Sequence, residues 1–155
     1  MIQDPNPLKS VAEFHSTFKH PIEQAPVIPT KERCELRLSL LKEELKELQE
    51  AIENNDLVEV ADAFCDLQYV LSGAILEFGL AAKFKGLFDE VHRSNMSKAC
   101  KTIEEAEATI AHYKQKDGTE AYYKELDGLY LVYRTSDHKT LKSIAYSPAN
   151  IPGFL

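Results

Sequence analysis

The chain has 155 residues, the size of one compact domain, and 44% hydrophobic with 28% charged residues marks a folded globular protein, not a disordered one. Eighteen Lys+Arg against twenty-five Asp+Glu leave a net charge of −7 with no basic run, which excludes the positive footprint that a nucleic-acid polymer requires. The odd set Cys34, Cys65 and Cys100 fits neither a zinc ribbon nor a redox pair, so a reducing compartment, the cytoplasm, is expected. MIQDPNPLKS lacks the apolar core of a signal peptide, and the most apolar window, 67–80, is too short to cross a bilayer, so no membrane is expected.

One domain over 1–155 is expected, in three stretches: an arm (1–30), catalytic helices (31–100), and an accessory helix, hairpin and tail (101–155). The arm holds five of the seven prolines around an amphipathic stretch, 11–19, followed by a loop that ends near Thr30. A long helix is predicted over 31–54, because Leu38, Leu41, Leu45, Leu48 and Ile52 recur at three- and four-residue steps on one face. Asn54-Asn55-Asp56 breaks it. The next helix, 57–78, is apolar nearly all round and is expected to be central and buried, with Gly79 as its cap. A further helix spans 82–95. Thr102 and Glu105 read as a capping box opening another, which ends near Asp117-Gly118. Residues 129–133 and 140–144, flanking TSDHK, suggest a small β-hairpin, and SPANIPGFL a strap. The class is mostly α.

Two acidic clusters carry the chemistry. Glu43, Glu44, Glu47 and Glu50 sit on the long helix, where a plain solvated face is the ordinary reading for such charges. On the following helix Glu59, Asp62 and Asp66 line one narrow stripe, continued by Tyr69 and Gly73. No Lys, Arg or His lies between 57 and 82 to neutralise it. Burying such carboxylates uncompensated costs several kcal/mol each, so either Lys42, Lys46 or Arg37 of the neighbouring helix pairs with them, or a metal does. Glu44-x-x-Glu47 and Glu59-x-x-Asp62 each place two carboxylates one turn apart, and the short turn between the helices makes them antiparallel neighbours. Four carboxylates can then converge, and all-oxygen ligation favours Mg²⁺ or Mn²⁺. Cations so held serve phosphate-ester chemistry. Donors for the phosphates follow in His92-Arg93-Ser94-Asn95-Met96-Ser97-Lys98, where Asn95 and Lys98 are spaced to face one ligand.

EELKE, a spacer, EVADAFCDLQYVLSGAILEFGL and VHRSNMSK together resemble the all-α nucleoside triphosphate pyrophosphohydrolases, a superfamily of MazG-like, dimeric dUTPase-like and phosphoribosyl-ATP pyrophosphohydrolase-like proteins. The resemblance covers roughly 14–98. YRTSDHKTLKS further resembles the R-x-x-D-G-K-x-x-K-S hairpin of one branch, with His138 in place of its glycine, so a different turn is expected there. The resemblance implies a helical bundle of the all-α pyrophosphohydrolase type, and Mg²⁺-dependent cleavage of the α–β phosphoanhydride of a nucleoside triphosphate to a monophosphate and pyrophosphate. It implies Glu44, Glu47, Glu59 and Asp62 as metal ligands, and Glu43 and Asp66 as auxiliary carboxylates, one of them orienting water. Asn95 and Lys98 correspond to contacts with the nucleotide or its phosphates, Lys98 also offsetting transition-state charge. His92, Arg93 and Tyr69 complete the expected substrate-binding set. Wide apolar stripes on the long helices call for a homodimer or homotetramer that completes the bundle. The competing activities are phosphoribosyl-ATP pyrophosphohydrolase of histidine biosynthesis and a non-catalytic nucleotide-binding helical module.

Overall fold

A computed structural model describes residues 5–155, so the first four residues of the N-terminal run lie outside the described residues. The chain divides into two compact units, Met1–Phe84 and Lys85–Leu155. The described residues form helices α1 (Pro7–Phe18), α2 (Lys31–Glu53), α3 (Leu57–Glu77), α4 (Ala81–Met96) and α5 (Ile103–Asp117), strands β1 (Ala121–Leu126) and β2 (Leu129–Arg134), and a terminal 3₁₀ turn, Ile151–Phe154. No single helix among them is long and apolar enough to cross a membrane.

In the first unit, α1 starts at Pro7, earlier than the amphipathic stretch suggests, because proline at the first helical position has its φ preset and no N–H to satisfy. The turn from α2 to α3 is closed by Asp56, whose carboxylate accepts from the backbone N–H groups of Val58 and Glu59, a cap contributing about 1 kcal/mol. Gly79 ends α3 at φ +66, and a side chain there would strike the Ala25 carbonyl, its Cβ 1.9 Å from that oxygen. The loop after α1 is tied down beside it: Glu23 N donates to Leu76 O and Val27 N to Phe78 O, both at 3.1 Å.

Burial corrects two expectations. Apart from Ala63, the buried residues of α3 lie in its C-terminal half (Ser72, Gly73, Ile75, Leu76, Glu77), while Leu57, Val58, Phe64 and Leu71 stand exposed. The leucine stripe of α2 also splits. Arg37, Leu48 and Ala51 are buried, and Leu38, Leu45 and Ile52, at seven-residue intervals, face outward with Leu45 58% exposed. The apolar periodicity was thus divided between contact with α3 and a face that this chain's own elements leave uncovered.

In the second unit, Cys100, Ala106, Val132 and Leu141 form a core against which Tyr113, Tyr123 and Tyr130 pack. The hairpin is β1 with β2, register Leu126↔Leu129, not 129–133 with 140–144. Its turn is Asp127-Gly128, both at positive φ, the two-residue type I′ turn that Asp-Gly favours. Thr140 makes only an isolated bridge to Tyr133. His138 lies in the turn between Tyr133 and Thr140. It adopts φ +57, the conformation a glycine would take, and Asp137 holds the turn by pairing with Arg134 and accepting from Lys139 N. The tail is a docked strap: Glu90 Oε1 accepts from Asn150 N at 2.8 Å, and Arg93 reaches Ser147 Oγ and Pro148 O.

Candidate active site

The carboxylates belong to the first unit and are placed by the packing of α2 on α3. The antiparallel register is visible in its contacts: Arg33 meets Glu77, Arg37 lies against Gly73, and Glu44 falls level with Asp66. Glu44 is half-buried. Burial first, then the negative charges of Asp66, Glu47, Glu43 and Asp62, push its carboxyl above the usual carboxylate range. Five of the predicted acids thus share one electrostatic neighbourhood. Glu59 lies one turn before Asp62 on α3.

Glu43, Glu47, Glu59, Asp62 and Asp66 are exposed in the single chain. The desolvation penalty expected for the α3 stripe is therefore not incurred here, and among the described residues no three His, Cys, Asp or Glu side chains are drawn together closely enough to hold a metal ion. What remains is uncompensated charge. None of these six acids forms an ion pair among the described residues, and two of the three cations offered as partners are engaged elsewhere. Lys46 pairs with Glu50, and Arg37 with Glu77. The donor set is hard oxygen, negative and open to solvent, which suits Mg²⁺ or Mn²⁺ and disfavours zinc.

Sequence reasoning missed the network that receives Arg37. Glu77, 1% exposed, takes Arg33 Nε on Oε2, and its Oε1 accepts from both Arg33 Nη2 and Arg37 Nη2, the latter at 2.5 Å. Burial pushes the Glu77 carboxyl up, but the guanidinium hydrogen bonds and charges outweigh it and hold it below its ordinary range. His15, buried, donates from Nδ1 to Pro21 O at 2.8 Å, which leaves Nε2 to accept from Arg37 Nη2 at 3.2 Å. Burial is the main cause that lowers its pKa and keeps it neutral. Arg37 Nε has no acceptor, the one buried side-chain polar atom so placed among the described residues, and such a group costs about 1–3 kcal/mol unless paired. The signal for this network lay in the pairing of positions forty residues apart on antiparallel helices, which local periodicity does not report.

The other predicted ligand contacts fall in the second unit, apart from Tyr69, which lies beside Phe14 in the first, edge-on with ring centroids 5.6 Å apart. Lys98 Nζ donates to Asn95 Oδ1 at 2.8 Å, so the two share one spot. His92 is exposed on α4. Arg93 is committed to Glu90, Ser147 and Pro148 and fixes the strap, which removes it as a free phosphate donor. With Asn150 N–H it holds the Glu90 carboxyl down to about 2.

Comparison with known proteins finds a match to the phosphoribosyl-ATP pyrophosphohydrolase family over residues 11–95, which takes in all six acids, Tyr69, His92 and Asn95 and stops short of Lys98. An uncharacterised protein, L479, of Acanthamoeba polyphaga mimivirus is 34% identical over 94 residues, 58% of this chain. The aligned stretch spans 38% of that relative's length, well under two thirds. With more than half of the chain matched by the family, it belongs to the phosphoribosyl-ATP pyrophosphohydrolase family of the MazG-like nucleoside triphosphate pyrophosphohydrolase superfamily.

Proposed function

We propose that the chain is a Mg²⁺-dependent nucleoside triphosphate pyrophosphohydrolase that cleaves the α–β phosphoanhydride, releasing a monophosphate and pyrophosphate. Family membership points to a pyrophosphohydrolase, and one observation carries the rest: acids from α2 and α3 gather around Glu44, and none of them forms an ion pair among the described residues. Glu44, Glu47, Glu59 and Asp62 would hold Mg²⁺, or Mn²⁺ in its place. A bound divalent cation supplies polarisation of phosphate oxygens and a water of lowered pKa. Glu43 or Asp66 stands beside that set to take the proton of the attacking water. A chain of net charge −7 repels a triphosphate unless cations intervene. Pyrophosphate release over a nucleotide panel is therefore expected with Mg²⁺ and absent in excess EDTA; release that persists in EDTA would sink the proposal.

The family description itself favours one second reading, phosphoribosyl-ATP as substrate in histidine biosynthesis, and that compound belongs on the panel. A thermal shift with nucleotide and Mg²⁺ but no product would instead mark a non-catalytic binding module.

The outward faces of α2 and α3 call for a second copy of the chain, as a homodimer or homotetramer, because contiguous apolar surface of this kind is covered in stable proteins. Light scattering on the eluting protein is expected to give a mass of two or four chains. Leu45→Glu and Phe64→Glu should each shift it to one chain, and a monomeric wild type would contradict the proposal.

A further inference from the structure

Helix α1 is held by few anchors: of its 12 residues only Val11 and His15 are buried. His15, 2% exposed, uses both ring nitrogens. A carbonyl only accepts, so the contact with Pro21 O at 2.8 Å fixes a proton on Nδ1. A guanidinium only donates, so Arg37 Nη2 at 3.2 Å fixes Nε2 as an acceptor. Both bonds together require the neutral ring. A second proton would set an N–H on Nε2 against a donor with little room to withdraw. Arg37 is pinned by Glu77 at 2.5 Å and lies on Gly73, where a Cβ would come within 2.8 Å of Nη1. The charges point the same way. Arg37 from α2, Glu77 from α3 and His20 from the loop after α1 act on the His15 ring, and Arg33 stands behind Glu77. Two guanidiniums share that one carboxylate, so the cluster already holds one positive charge in excess. The His20 ring, 5.3 Å from His15, offers no negative charge to offset another.

We infer that His15 is an acid latch: protonated, it leaves Arg37 and releases α1 from α2 and α3, while the loop beyond stays in place. The hinge is 19–22. Lys19 ends α1 at φ 60, in the left-handed region. From Glu23 onward the backbone is fastened to the end of α3, by Glu23 N to Leu76 O and Val27 N to Phe78 O, bonds that no titrating group makes. Released into water, His15 binds a proton near its ordinary 6.5, whereas docked it resists until lower pH, so acid drives the opening. What opens is a cavity of about 230 Å³ between the three helices. Val11, Phe14 and His15 wall it on one side, and Leu36, Leu40 and Tyr69 on the other. The latch seals this apolar slot at neutral pH and bares it in acid. No nucleotide enters the device, which holds with or without the hydrolase reading.

Amide hydrogen exchange on the full chain between pH 7 and 5, corrected for intrinsic rates, tests the latch. Below 6.5 the amides from Val11 to Phe18 are expected to lose protection by up to about tenfold per pH unit, the slope set by uptake of one proton on opening. Glu23, Val27 and the interior of α2 should keep theirs. His15→Gln, whose amide takes no charge, should leave α1 protection independent of pH whatever its absolute level, and His20→Gln should keep the slope. Protection lost from α1 and α2 together would mean unfolding of the whole unit and overturn the inference. So would wild-type α1 protection that is flat with pH, a slope that survives His15→Gln, or one that vanishes with His20→Gln.

Discussion

Glu47→Gln and Asp62→Asn are each expected to lower pyrophosphate release by about 10²–10³-fold at saturating Mg²⁺ without loss of helical circular dichroism. A metal's stabilisation of transition-state charge is worth several kcal/mol, and each 1.4 kcal/mol is about tenfold in rate. The stability of the metal-free chain supplies an independent sign. These acids crowd one another, and none is paired with a cation among the described residues. Neutralising one therefore removes repulsion of about 0.2–0.5 kcal/mol per neighbouring pair. Glu44→Gln should raise the metal-free melting midpoint most, because burial and four like charges already oppose its ionisation. If these substitutions instead lowered the midpoint and the helical signal together, the acids would be partners in structural ion pairs.

Glu77→Gln is expected to cost about 3–5 kcal/mol of folding stability, since it strands the buried Arg37 guanidinium without its counter-charge. Against a typical total of about 5–15 kcal/mol, that is the largest single effect foreseen for the first unit. Urea unfolding measures it, and a loss near zero would show that the pair contributes no net stability. The same network fixes a direction with pH. His15 titrates below its ordinary 6.5 in the folded chain, so as pH falls through 6.5 the unfolded chain binds a proton that the folded one refuses, and stability declines. Glu77, held below 4.5, adds a second loss only as pH falls under that value, where the unfolded carboxyl protonates first. His15→Gln should therefore flatten stability between pH 7 and 5 relative to wild type while keeping the steeper fall at lower pH. Parallel curves for the two proteins would exclude His15 from the network.

Helices were legible because their signals are local. The bounds of α2 and α3 follow from apolar spacing and from the Asn54-Asn55-Asp56 break, and Thr102 caps α5 as its spacing to Glu105 suggests, accepting from Glu105 N. The hairpin lies earlier than TSDHK suggests because Asp127-Gly128 is the stronger turn pair, while Ala121-Tyr-Tyr-Lys alternates too weakly to announce a strand. The acids of the candidate site were legible in type and spacing. Their burial was not, since the leucine stripe of α2 reports that a face is apolar and says nothing of what covers it. Arg37 is one of three cations that the spacing offers to the acidic stripe as an alternative to a metal, yet the antiparallel register carries it to Glu77, a pairing set by tertiary packing alone.

The Asp127-Gly128 tip has open space around it, with nothing within 4 Å of where a Gly128 side chain would project. Exposed ends of this kind accept extra residues with little disturbance to what they connect. An affinity peptide spliced between those two positions would leave the β1–β2 pairing and its tyrosine core in place, giving a handle for immobilising the protein.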